Sequence, residues 1–190
     1  MTYKTHRTYQ VKYGGYRNLQ SYQSATIIYD LTIEFCNLYM SYKTNKSYRT
    51  YDQMTQAARS GKQNIVEGSQ ASRTSKKTEL KLVGVARASL EELLQDYEDF
   101  LRQRNLLVWS KDDPRARAVR ALAYKSDKSY TTYKSYLSDP EQAANCLLTL
   151  LHQANYLLDR QFEALQKAFI EEGGFTENLY KNRLQRRKTV

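Results

Sequence analysis

Apolar residues recur at three- and four-residue intervals through four long stretches of this 190-residue chain. Ile28, Leu31, Phe35, Leu38 and Tyr42 make the first series, and Tyr51, Met54, Ala58, Gly61 and Ile65 the second. The third is Leu82, Ala86, Ser89 or Leu90, Leu93, Tyr97 and Leu101; the fourth is Leu147, Leu151, Ala154, Leu158 and Leu165. That period lines each series along one face of an α-helix, and such a face must be buried against another element. Only 2 prolines and 7 glycines interrupt the chain, too few for the many turns of a sandwich or barrel. The expected fold is all-α: an up-down four-helix bundle over 19–172, with helices at about 19–42, 48–68 and 75–104 and from Pro140 to about Glu172.

Boundary signals fit those limits. Ser75 is placed to cap the third helix, and Gly68 to close the second in a left-handed turn. Asp113-Pro114 and Asp139-Pro140 each put a capping carboxylate before a proline suited to a first helical turn. The first of these starts an extra short helix between helices three and four, within an insert at 106–138, where Trp109 anchors the crossover. Gly173-Gly174 end the fourth helix. Gly61 in mid-helix costs about 1 kcal/mol against alanine, and its small neighbours Ala57, Ala58 and Ser60 suggest a close helix–helix approach. A flexible basic arm (1–18) and a basic C-terminal suffix (173–190) flank the bundle.

Thirty Lys and Arg against 20 Asp and Glu leave a formal charge of +10. Such an excess suits a polyanion, nucleic acid first among them, or simply a positive surface. Three near-copies of a basic tyrosine-rich heptapeptide, YKTHRTY, YKTNKSY and YKSDKSY, begin at Tyr3, Tyr42 and Tyr124. Their starts lie 39 and then 82 residues apart, which defines no solenoid period. They read as loop composition, or as tyrosines that stack on bases between lysines.

Catalytic patterns are missing from the sequence. No nucleophile–base pair, metal cluster or phosphate loop stands out, so no enzyme activity, metal or cofactor is expected. Glu91, Glu92, Asp96, Glu98 and Asp99 cluster in helix three without a histidine at helical spacing, as in a solvated or salt-bridged face. Cys36 and Cys146, far apart in apolar helices, read as buried thiols of a reducing compartment. His6 and His152 stand alone. No apolar run reaches the roughly 18 residues of a membrane span, and no signal peptide is evident. A cytoplasmic location is expected.

Helix two carries QMTQAARSGKQNIVEG and helix three VARASLEEL. Through Gln53, Ala57, Ala58, Ser60, Asn64, Ile65, Glu67 and Gly68, and then Ala86, Ser89, Leu90, Glu92 and Leu93, the chain resembles the four-helix-bundle proteins of ribosomal RNA intervening sequences. It is similar also to the accessory variability protein of diversity-generating retroelements. The likeness covers about 20–105 and 140–172, and EGGFTENLYKNR resembles the variant with a C-terminal suffix. The insert departs from the minimal pattern. The resemblance implies a ring-forming homo-oligomer, often a pentamer, and in the retroelement relatives an association with nucleic acid and a reverse transcriptase. It carries over no catalytic residue.

The residues themselves offer two sites. Gln53, Ser60 and Glu67 fall seven apart, beside the row of Ala57 and Asn64. With Ser89 they make either an inter-helix polar network or a ligand site. Helix three places Lys76, Lys77 and Lys81 at its start and its acids at its end, against the macrodipole. An anion or a neighbouring copy's acidic half would balance this. Arg59, Lys62 and Arg73 extend that basic patch, and Lys181, Arg183, Arg186 and Arg187 add to it from the suffix. The expected role is a non-enzymatic scaffold for RNA or an RNA–DNA hybrid, as a reverse-transcriptase or ribosomal-RNA accessory protein. The alternative is a protein-interaction adaptor with a structural ring role and no nucleic-acid binding.

Overall fold

The computed structural model describes residues 15–40, 45–125 and 128–188. The first heptapeptide and most of the expected arm lie outside the described residues, as do Ser41–Thr44 within and beside the second heptapeptide. Every regular element among the described residues is helical, with no strand: α1 (Gln20–Tyr39), α2 (Asn45–Ala71), α3 (Lys76–Gln103), α4 (Pro114–Leu122), α5 (Pro140–Glu172) and α6 (Phe175–Lys188). Two 3-10 segments accompany them, Tyr16–Asn18 before α1 and Tyr130–Ser138 between α4 and α5. No described helix is long and apolar enough to cross a membrane.

Four long helices close a cycle of contacts: α1 lies against α2 and α5, and α3 against the same two. Numbers rise on one member of each pair as they fall on the other. Lys62 sits over the Tyr29 ring while Tyr51 reaches Asn37. Ser60 meets Ser89 and Gly68 faces Leu82. Arg87 reaches Asp159 while Lys76 reaches Glu172. The centre is aromatic. Phe35 packs edge-on against Tyr97 (4.9 Å) and Phe100 (4.8 Å), and the buried Tyr97 hydroxyl donates to Thr32 Oγ1 at 3.0 Å. Edge-to-face pairs of this kind add about 0.5–1.5 kcal/mol to burial.

Most of the apolar series turn inward. Ile28, Leu31, Phe35, Met54, Ala58, Ile65, Ala86, Leu90, Leu93, Tyr97, Leu101, Leu147, Leu151, Ala154 and Leu158 are buried. Leu38 is an exception at 57% exposed, because past Phe35 the inner face passes through Cys36 and Met40. Gly61 faces α3, and a Cβ there would run into the Leu90 side chain.

Caps fall where short polar side chains precede the helices. Ser75 Oγ accepts from Thr78 N, Asp113 from Arg115 N and Asp139 from Gln142 N. Gly68, by contrast, does not close α2. The helix runs on to Ala71, and Gly68 sits inside it facing α3, where a Cβ would stand 3.4 Å from Leu82 Cβ, an ordinary contact. The left-handed glycine is Gly173 (φ 74°), which ends α5.

The insert is more ordered than its composition suggests. Trp109 is buried, and its backbone N–H donates to Asn145 Oδ1 at 2.7 Å; Asn145 Nδ2 donates in turn to Leu107 O at 2.8 Å. Tyr133 and Leu137 are buried from the second 3-10 segment, and Tyr39 donates to Leu137 O at 2.6 Å. The third heptapeptide, expected as loop, ends in that segment at Tyr130. The second contributes Asn45–Tyr48 to the first turn of α2.

Candidate nucleic-acid interface

The suffix is the largest departure from expectation. Read as a tail, it is a helix, α6, whose described side chains are all exposed. Its apolar residues make no continuous stripe, which is why helical periodicity gave no signal. Gly174 N donates to Glu177 Oε2 at 3.0 Å and Gly174 O accepts from Asn178 N, so the helix starts immediately after the Gly173 break. Lys181, Arg183, Arg186, Arg187 and Lys188 then follow, against the single acid Glu177. At 1.5 Å per residue α6 is a rod of about 21 Å.

One ion pair shows where it starts in the fold. Lys76 Nζ, in the first turn of α3, lies 2.5 Å from Glu172 Oε2, in the last turn of α5. The α2–α3 turn and the start of α6 therefore share one end of the molecule. Arg73, Lys76, Lys77 and Lys81 stand at that end, and Lys77 and Lys81 are exposed.

This pair also corrects an expectation. Lys76 does not wait for outside charge: Glu172 neutralises it, and Glu79, one turn on, is a second acid beside it. Burial pushes the Glu79 carboxyl above its ordinary value, and the Lys76 ammonium pulls it partly back. Glu172 was not legible as a partner, being 96 residues away in sequence, whereas Glu79 lies only three residues on in the same helix.

Arg59 and Lys62 lie elsewhere. At least about 14 Å of helix axis separates each from the end of α2. Arg59 is exposed; Lys62 covers the Tyr29 ring at 3.9 Å and opposes the upward shift that burial gives the Asp30 carboxyl.

Of the polar stripe, Ser60, Asn64 and Ser89 come together. Ser60 Oγ is 2.9 Å from Ser89 Oγ, and Asn64 Nδ2 donates to Ser60 O (2.9 Å) and Oγ (3.1 Å). Gln53 and Glu67 are exposed and stand outside that group. The acid half of α3 is partly answered within the chain: Arg87 bridges Glu91 and Asp159, and Arg102 pairs with Asp99. Asp96 is different. Burial first, then Glu92 and Asp99, push its carboxyl up to about 6.

Among the described residues no group of three His, Cys, Asp or Glu side chains could hold a metal ion. Cys36 and Cys146 are free and buried, and burial pushes both thiols up to about 12. They are poor nucleophiles at neutral pH.

Fold and charge together define an all-α protein that carries a solvent-exposed basic helix at one end. No protein-family model matches the chain, nor does any curated protein or any solved structure.

Proposed function

We propose that this chain is a non-enzymatic, oligomeric scaffold, an up-down four-helix bundle that binds RNA or an RNA–DNA hybrid. The observation that carries this reading is the Lys76–Glu172 contact, which starts the basic α6 beside the basic α2–α3 turn. A phosphate backbone laid across that end meets Lys77 and Lys81 from one side and Lys181, Arg183 and Arg187 from the other. Each cation that neutralises a phosphate releases a counterion, so affinity must fall as salt rises. A ring of copies, as the resemblance implies, would repeat the patch and raise avidity. A role beside a reverse transcriptase or ribosomal RNA belongs to the same reading.

The test is fluorescence anisotropy with labelled single-stranded RNA and an RNA–DNA hybrid over about 50–200 mM salt. Arg183→Glu, Arg187→Glu and Lys81→Glu together should weaken binding at least tenfold and flatten its salt dependence, with the sedimentation profile unchanged. Unaltered affinity in that variant overturns the reading.

One observation favours a second reading, a protein adaptor. Phe175 and Leu179, and again Tyr180 and Leu184, are spaced by four on α6 and stay 38–64% exposed. A partner protein that remains bound to the chain after nuclease treatment, and is lost with Leu179→Ser and Leu184→Ser, supports that adaptor.

A further inference from the structure

A cavity of about 950 Å³ opens between the first turns of α1, the insert and the first half of α5. About 28 Å of α5 separates Gln153 on its wall from Glu172, so it is remote from the basic end. Its volume lies in the range of small-molecule clefts.

Three side chains on this wall carry buried polar atoms with no hydrogen-bond partner among the described residues: Trp109 Nε1, Tyr133 Oη and Gln153 Oε1. Trp109 is 8% exposed and Tyr133 1%. Buried polar groups are nearly always partnered, so three orphans around one cavity need a common explanation. Their chemistry is mixed. The indole N–H only donates and the glutamine oxygen only accepts, while the phenol can do either. Burial pushes the Tyr133 hydroxyl up to about 12, so it keeps its proton.

The mouth is cationic. Arg120 and Lys128 line it, and each donates to a neutral carbonyl, Lys111 O and Ala123 O respectively, at 2.5 Å. Those bonds fix the side chains without cancelling their charge. Lys111 and Lys125 line the cavity as well, and Glu98 is the one carboxylate on the described wall. Asp127 lies outside the described residues.

A planar heterocycle has both an acceptor for the indole N–H and a donor for the glutamine oxygen. A phosphate on the same molecule suits the cations. We propose that this cavity binds a nucleoside 5′-monophosphate, the base against Trp109, Tyr133 and Gln153 and the phosphate at Arg120 and Lys128. This site does not depend on the surface reading, since it uses different residues at a different place.

Trp109 is the only tryptophan, so its emission, corrected for absorption by the added bases, reports on this cavity. The full chain is titrated with AMP, GMP, CMP and UMP, with the matching nucleosides, and with a short RNA bearing a 5′-phosphate. A saturable emission change with at least one monophosphate is expected, at least tenfold tighter than its nucleoside. Arg120→Gln with Lys128→Gln should erase that preference while the thermal melt stays at the parent value. Gln153→Leu should lower affinity for the nucleoside as well. No saturable change with any monophosphate up to about 5 mM overturns the proposal. So does an affinity indifferent to Arg120 and Lys128. If only the RNA alters the emission, the cavity seats a strand end, and the free-nucleotide assignment is lost.

Discussion

Lys76 and Glu172 meet at 2.5 Å and tie the first turn of α3 to the last turn of α5. With 27% and 66% of their side chains exposed, they form a surface pair, worth under about 1 kcal/mol. Their importance is positional and electrostatic. Glu172→Gln should leave the melting temperature nearly unchanged yet strengthen RNA binding severalfold, because Lys76 becomes available to phosphate. Calorimetry and anisotropy on the same preparation check both halves; weaker RNA binding contradicts the proposed interface.

The α2–α3 approach at Gly61 predicts opposite outcomes for two glycines. Gly61→Val forces Leu90 or the helices apart and should cost about 1–3 kcal/mol in urea unfolding. Gly84, in α3, has nothing within 4 Å of the place a Cβ would take. Gly84→Ala should therefore stabilise by about 0.4–1 kcal/mol through helix propensity and the unfolded chain.

Asp96 gives the fold a pH dependence with a definite sign. Its folded carboxyl holds a proton up to about pH 6, against an ordinary value of 3.8. Between those values the folded state binds more protons than the unfolded one, so stability falls as pH rises and stays lowered above about 6. Glu92, Asp99, the Cys36 thiol and the Tyr97 phenol are titratable groups around it. Asp96→Asn should therefore stabilise at pH 7 and do little at pH 4. The carboxyl is only half withdrawn from water, so after screening the gain is on the order of 1 kcal/mol. Melts at the two pH values decide it.

Asn145 holds the insert by two bonds, one from Trp109 N and one to Leu107 O. Asn145→Ala leaves a buried N–H without an acceptor and should cost about 1–3 kcal/mol. Trp109 emission should shift to the red as the crossover loosens, which places the loss locally.

What the sequence made legible was whatever local rules govern. Four long helices followed from apolar period, and three starts from Ser75, Asp113 and Asp139. Leu38 misled because a three-residue step from Phe35 leaves the inner face, while the four-residue step to Tyr39 stays near it. Gly68 misled because a glycine can stand inside a helix as well as in the turn that ends one. The suffix hid its helix, since helical period is visible only where one face is apolar. Lys76 could not be matched to Glu172, nor Trp109 to Tyr133 and Gln153. Those neighbours are made by tertiary packing, and no spacing encodes them.

The junction at Gly173 and Gly174 concerns aim. One left-handed residue and one bond from Gly174 N to the Glu177 carboxylate decide the heading of a rod about 21 Å long. A small change of torsion at that pivot sweeps the far arginines through many ångströms while every buried contact stays in place. Substitutions at these two glycines could thus retarget the charged helix toward a differently shaped partner without disturbing the core that carries it.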